Sequence, residues 1–381
     1  MVTAGGRRWV CVGMGERGVG DMLESDSPLN EAWNNEDARA GRRTVSRNEL
    51  LQTLDVRPTR IVAMGGGTGL PMVLRGLARR ADPRVGDPGL DITAVVAMSD
   101  DGGSSGRLRR TRGALPPGDV RNCLVALAGG KATSPLSEVF QYRFAGRKGL
   151  AGHAVGNLLI SALAELKGDF VEAVRVSGEL LGIKGRVLPS TTSPVQLVAR
   201  MEDSTEVVGE SNISRAHGRI QKVLLSPRSP PPVDGLLEAI YTADLIAIGP
   251  GSLYSSLMPN LLVDGVAQAL CETRALKVMV ANLMTQPGET DGMDCLDHVR
   301  AVIDHVGPVL DAVLINGSAP PEESARRYAL KGSYPVRVDR RALISAGVVP
   351  VEADLLKDCP RIRHDSRKVA RCLLKMARSG L

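Results

Sequence analysis

Short apolar runs recur along the chain at residues 61–64, 92–98, 245–248, 278–281, 309–315 and 336–338, separated by stretches of helical spacing. The runs are mostly continuous rather than alternating. A strand that is apolar at every position is covered on both faces, as happens when helices form the crossovers of a parallel sheet. The pattern therefore predicts an α/β fold, a Rossmann-like and mostly parallel sheet with helices on both faces and right-handed crossovers. Residues 186–214 alternate Val and Thr with turn residues and read as a small β insertion, and the proline-rich 227–235 reads as a rigid link back into the sheet. Residues 1–57 lack sustained periodicity apart from a short helical stretch at 48–54. They read as a flexible N-terminal extension, which leaves 58–381 as the folded domain.

In an open α/β sheet, ligands bind beyond the carboxyl ends of the strands, so the exit of each run matters most. The first run empties into Gly65, Gly66, Gly67, Thr68 and Gly69 and then into the helical PMVLRGLARR. Glycines let the backbone approach a ligand, and a helix N-terminus favours an anion, so this exit is a candidate phosphate cradle; a tight strand-to-helix turn is the plainer alternative. The dinucleotide fingerprint would need a further glycine at Leu70 or Pro71, and the Walker Gly-Lys-Ser/Thr is absent, so neither NAD binding nor ATP hydrolysis is the default. The run at 245–248 repeats the logic with Gly249, Pro250, Gly251 and Ser252, ahead of an apolar helix that is a candidate homodimer face.

Other exits carry polar chemistry. Asp100 and Asp101 are followed by Ser104, Ser105 and Arg107. The carboxylates could hold Mg²⁺ or a ribose or sugar hydroxyl while the arginine neutralises phosphate; a polar turn capped by Asp competes with that. Asp119 and Asn122 open a helix, where Asp119 serves equally well as an N-cap. His153 and Asn157 stand four residues apart on one helical face, with His153 either a general base or a structural histidine. Asn282 and Thr285 follow 278–281 as hydrogen-bonding partners for a base or sugar, and Arg363, His364 and Asp365 precede the last helix.

Composition narrows the classes. A chain of 381 residues that is 43% hydrophobic can bury a large core. A net charge of +6 with 3% aromatic residues offers few stacking platforms, so no nucleic-acid partner is expected. The six cysteines form no CxxC pair or metal spacing and read as reduced, buried thiols. No segment reaches the roughly 20 apolar residues of a membrane span, so a soluble, cytoplasmic protein is expected.

Taken together, GGGTGL, SDDGGSSGRLR, LPPGDVRNCLVALA, GHAVGNLL, IGPGSLYSSLMPNLL, ANLMTQPGETDG and RHDS, in order over about residues 60–370, resemble the YvcK-type gluconeogenesis-factor branch of the CofD-like superfamily. That superfamily's named enzyme is 2-phospho-L-lactate transferase of deazaflavin cofactor synthesis. Its branch reads GGTGTPKLL at the first loop, where this chain has Gly69-Leu70-Pro71-Met72. The resemblance implies a UDP-sugar ligand of the UDP-N-acetylglucosamine type, a regulatory role in cell shape and carbon metabolism, and a cell-wall or metabolic protein as partner. The alternative it implies is a nucleotide-dependent transferase, against which the scarcity of aromatic residues for a flat acceptor speaks. Under the resemblance, Gly66, Gly67, Thr68 and Gly69 with Gly251 and Ser252 cradle the diphosphate, and Arg363 clamps phosphate or uridine. No catalytic residue is assigned.

Overall fold

The computed structural model describes residues 57–81, 89–129, 134–216 and 218–379. The helical stretch at 48–54, and all of the expected extension except Arg57, lie outside the described residues. Arg57 itself pairs with Asp244 at 2.6 Å.

Strands β1 (Thr59–Gly65), β2 (Leu90–Val96) and β3 (Arg186–Pro189) come first. β4 (Gln196–Met201), β5 (Glu206–Val208) and β6 (Ile220–Ser226) follow, and β7 (Leu245–Ile248), β8 (Leu276–Val280), β9 (Ala312–Asn316) and β10 (Val349–Ala353) complete the series. Seven of them form one parallel sheet in the order β10-β9-β8-β7-β1-β2-β3. The remaining three form a small antiparallel sheet, β5-β4-β6. Continuous apolar runs gave the central strands because both faces are covered: every residue of β7 is buried, as are residues 61–65 of β1.

The order of strands fixes where a ligand can sit. β1 and β7 are neighbours, with Ile61 opposite Leu245 and Met64 opposite Ile248. From this pair the chain moves outward to β2 and β3 on one side and to β8, β9 and β10 on the other. This is the topological switch point, and both glycine-rich exits leave the sheet there side by side. After β1 comes helix α1 (Gly69–Arg80), which buries Leu70, Val73, Leu74 and Leu77 on its inner face. A Cβ on Gly69 would lie 1.9 Å from the Pro250 carbonyl oxygen, so only glycine lets the two exits touch. Farther along, a Cβ on Gly76 would lie 1.9 Å from the Ser366 carbonyl oxygen, where the C-terminal helix Ser366–Ser379 meets α1. That crossing brings the segment carrying Arg363 beside the first glycine loop.

Four expectations are corrected. Residues 336–338 form no strand; only Pro335 makes an isolated bridge, to Met284. The missed strand is β10, a half-exposed edge containing Pro350 and Glu352, whose pattern lacks the continuous burial of a central strand. The insertion expected at 186–214 divides differently, since residues 186–189 belong to the main sheet and the small sheet extends to Ser226. The apolar helix after Ser252 is a π-helical turn, Leu253–Leu257, continued by Met258–Leu261, and it is packed inside the chain, with Leu253, Met258 and Asn260 at 0% exposure. It therefore offers no surface to a second copy. Of the cysteines, Cys123 and Cys295 are buried as expected, but Cys271 is exposed. Among the described residues no helix is long and apolar enough to cross a membrane.

Candidate functional site

The two glycine exits open into a cleft of about 1140 Å³. Thr68 and Gly69 line it from the first exit, and Pro250, Gly251 and Ser252 from the second. Asn282 fixes the second exit by accepting the Gly251 N–H (3.2 Å) and donating to the Gly251 carbonyl (2.9 Å). Ser252 Oγ donates to Gln286 Oε1 at 2.7 Å. Thr285 also lines the cleft, but its hydroxyl accepts the Tyr334 N–H (2.9 Å), so it serves as a tether for the 333–336 wall.

The cleft is basic. Arg75, Arg79, Lys331, Lys357, Arg363 and Arg367 line it, and none of the six side chains makes an ion pair among the described residues. The one acid in the lining, Asp365, is occupied as a helix cap, with Oδ1 accepting the Arg367 N–H (2.7 Å) and the Lys368 N–H (3.1 Å). Burial, and then the Arg79 and Arg363 charges, hold the Arg75 guanidinium below its ordinary value. Unpaired guanidiniums that repel one another form a ready receptor for phosphate or carboxylate.

The other half of the first glycine loop faces acids. Asp119 lies in the first turn of α3 (Gly118–Leu127; α2 is Gly103–Arg112), and its carboxylate accepts the Gly67 N–H at 2.6 Å instead of capping its own helix. The Gly67 N–H is thereby spent, and Gly65, Gly66 and Gly67 do not line the cleft. Burial raises the Asp119 carboxyl to about 6. Glu210, carried by the β insertion, is raised to about 9 by burial and by the charges of Asp100, Asp119, Glu289 and Asp101. Glu289 is raised by burial while its Oε1 accepts the Ser255 hydroxyl at 2.6 Å.

Asp100 and Asp101 do not act as a pair. Asp100 Oδ1 accepts the Gly102 N–H (2.9 Å), whereas Asp101 Oδ1 accepts the Ser211 N–H (3.0 Å) and the Ser211 hydroxyl (2.6 Å). Asp101 thus anchors the insertion. Among the described residues no group of three or more His, Cys, Asp or Glu is arranged to hold a metal ion, and this geometry gives Mg²⁺ no paired carboxylates at 100–101.

A third group is a buried polar network. Ser104 Oγ contacts His153 Nδ1 (3.0 Å) and accepts from Asn157 Nδ2 (3.1 Å). Asn157 Oδ1 accepts from Arg121 (2.8 Å), and Arg121 in turn donates to Asn122 Oδ1 (2.8 Å). His153 is not helical: α5 (Val155–Lys167; α4 is Pro135–Gln141) begins two residues later. Burial and Arg107 push the His153 imidazole down. Ser105 Oγ accepts the Gly118 N–H (3.1 Å), which ties α2 to α3. The network holds three helices together, and none of its members, nor Arg107, lines the cleft.

The structure therefore gathers Thr68, Gly69, Gly251, Ser252, Asn282, Thr285 and Arg363 in the cleft and places the other candidates beside or behind it. The sequence reading missed Arg75, Arg79, Lys331, Lys357 and Arg367. Arg75 and Arg79 stand four residues apart, opposite the buried face of α1, a spacing that ordinarily marks only a solvated surface.

Residues 61–356 match the family model described as 2-phospho-L-lactate transferase CofD. The chain is 42% identical over 317 residues to a protein named gluconeogenesis factor from Halalkalibacterium halodurans, an alignment covering 83% of this chain and 95% of that one. It is 41% identical over 320 residues to the gluconeogenesis factor of Bacillus subtilis, covering 83% and 98%. A crystal structure of a Bacillus halodurans protein superposes with a TM-score of 0.78 at 41% identity, over 84% of this chain and 100% of that one.

Proposed function

The chain belongs to the CofD family, alongside relatives named gluconeogenesis factor, and from that premise we propose that it binds a UDP-sugar of the UDP-N-acetylglucosamine type in the basic cleft and acts in the cytoplasm as a regulator of carbon and cell-wall metabolism, without turnover. The observation that carries this reading is the meeting of two glycine-rich strand exits at the switch point with six cations that have no acidic partner among the described residues. A diphosphate at Gly69 and Gly251–Ser252 lies against the N-terminus of α1, where the helix dipole adds to the arginine charges. Arg363 reaches this place from the C-terminal segment and clamps phosphate or uridine. Asn282 and Gln286 hold the second exit in shape and stand where a sugar or base would pass. The receiving partner is a cell-wall or metabolic protein that reads the liganded state.

One observation favours a second reading, a transferase like the enzyme that names the family. Asp119, raised to about 6 beside Gly66 and Gly67, is a group able to take up a proton near neutral pH. Calorimetric titration with UDP-N-acetylglucosamine, GDP and NAD, with and without Mg²⁺ and followed by a product assay, separates the two. The regulator binds the uridine ligand and leaves it intact. Preference for the guanosine ligand with Mg²⁺-dependent release of nucleotide would establish the transferase instead.

A further inference from the structure

If a nucleotide sugar occupies the cleft, as proposed above, the cleft holds more positive charge than that ligand requires. A nucleoside diphosphate sugar brings two adjacent phosphates, whereas six cations line the cleft. Helix geometry keeps these cations apart. α1 starts at Gly69 and rises about 1.5 Å per residue, so Arg75 departs about 9 Å along the axis and Arg79 about 15 Å. Helical side chains lean toward the N-terminus, so Arg75 can reach back toward the glycine exits while Arg79 stays a full turn behind it. A diphosphate seated on the first turn of α1 cannot also sit against Arg79. Neither arginine has an acidic partner among the described residues, and the two like charges together favour an anion placed between or beyond them.

We infer that the cleft receives a third anionic group at Arg79, beyond the diphosphate, carried by the ligand as a carboxylate on the sugar or as a further phosphate. UDP-glucuronate and UDP-glucose make the cleanest probe, because they differ only in a carboxylate replacing a hydroxymethyl group; UTP against UDP probes the phosphate source. All four are titrated calorimetrically into the full chain and into Arg79→Gln, whose exposed position on α1 leaves the core untouched.

The expected result is binding about tenfold tighter for the anionic member of one pair, in line with one charge-assisted contact at an exposed site. That advantage disappears in Arg79→Gln, so that the two members of the pair bind the variant with affinities equal within about twofold. A gain with UDP-glucuronate places the third anion on the sugar, and a gain with UTP alone places it on the phosphate chain. Equal affinities within both pairs, or an advantage that survives Arg79→Gln, overturn the inference and leave the nucleotide-sugar reading standing. Failure of every uridine ligand to bind removes that reading, and the inference falls with it.

Discussion

The first glycine loop divides two regions of opposite charge. Toward Thr68 and Gly69 lies the cleft with six cations and a single acid already used as a cap. Toward Gly66 and Gly67 lie Asp119 and, around it, Asp100, Glu210 and Glu289. The acids solve their crowding within the chain: Asp119 takes a backbone N–H, Glu289 takes a hydroxyl, and Glu210 keeps its proton. The cations do not, because the four guanidiniums stay charged at any working pH and, like the two lysines, find no carboxylate among the described residues. A region that has satisfied itself is scaffold, and a region left with uncompensated charge awaits a ligand. That contrast is why the proposed nucleotide is placed in the cleft rather than among the acids.

Four perturbations test the contrast, in descending order of expected effect. Gly69→Ala strikes the cleft where its two glycine exits meet, since its new methyl would overlap the Pro250 carbonyl; a loss of about 3 kcal/mol in urea unfolding is expected. An unchanged unfolding midpoint would mean that the two exits are not locked together.

Arg363→Ala acts on the cleft alone. It should weaken UDP-N-acetylglucosamine binding by about one to two decades while the melting temperature holds, because Arg363 is exposed and makes no side-chain bond among the described residues. Unchanged affinity would remove the clamp assignment.

Glu210→Gln acts on the acidic region alone. The folded chain holds this carboxyl at about 9 against 4.5 ordinarily, so between those values the folded state keeps a proton that the unfolded chain has released. Stability contributed by that proton is full below pH 4.5 and is lost as pH rises toward 9. At pH 8 the variant should be more stable by about 1–2 kcal/mol, and its thermal melts should depend less on pH than those of wild type. A variant less stable than wild type at pH 8 would show that Glu210 is ionised and paired.

Asp119→Asn is the mildest, because the amide oxygen still accepts the Gly67 N–H. Its effect on UDP-sugar affinity should stay below about threefold. A larger loss would extend the ligand site across the glycine loop.

The sheet was legible where burial is symmetrical. Residues 61–64 of β1, all of β7 and residues 278–280 of β8 are buried and stand out as unbroken apolar runs, and the glycine-rich exits of β1 and β7 mark the switch point without reference to the fold. β10 was not legible, because an edge strand with Pro350 and Glu352 carries no such run, and the Val-Arg-Val segment at 336–338 drew the assignment in its place. The cleft was legible in part, through the exits and Arg363. Arg75 and Arg79 were hidden because helical spacing cannot tell a solvated face from a face bordering a ligand. Asp119 reads locally as a cap, yet its partner Gly67 lies 52 residues away. Glu210 enters the acidic region only because Asp101 anchors the insertion through Ser211, a tertiary placement that no local pattern encodes.

Calorimetric titration of UDP-N-acetylglucosamine into wild type, Arg363→Ala and Glu210→Gln, side by side, bears most directly on the division of labour. The account predicts tight binding to wild type, a loss of at least about tenfold in Arg363→Ala and wild-type affinity in Glu210→Gln. The opposite ranking, with Glu210→Gln impaired and Arg363→Ala unaffected, would contradict it and move the ligand to the acidic side of the loop.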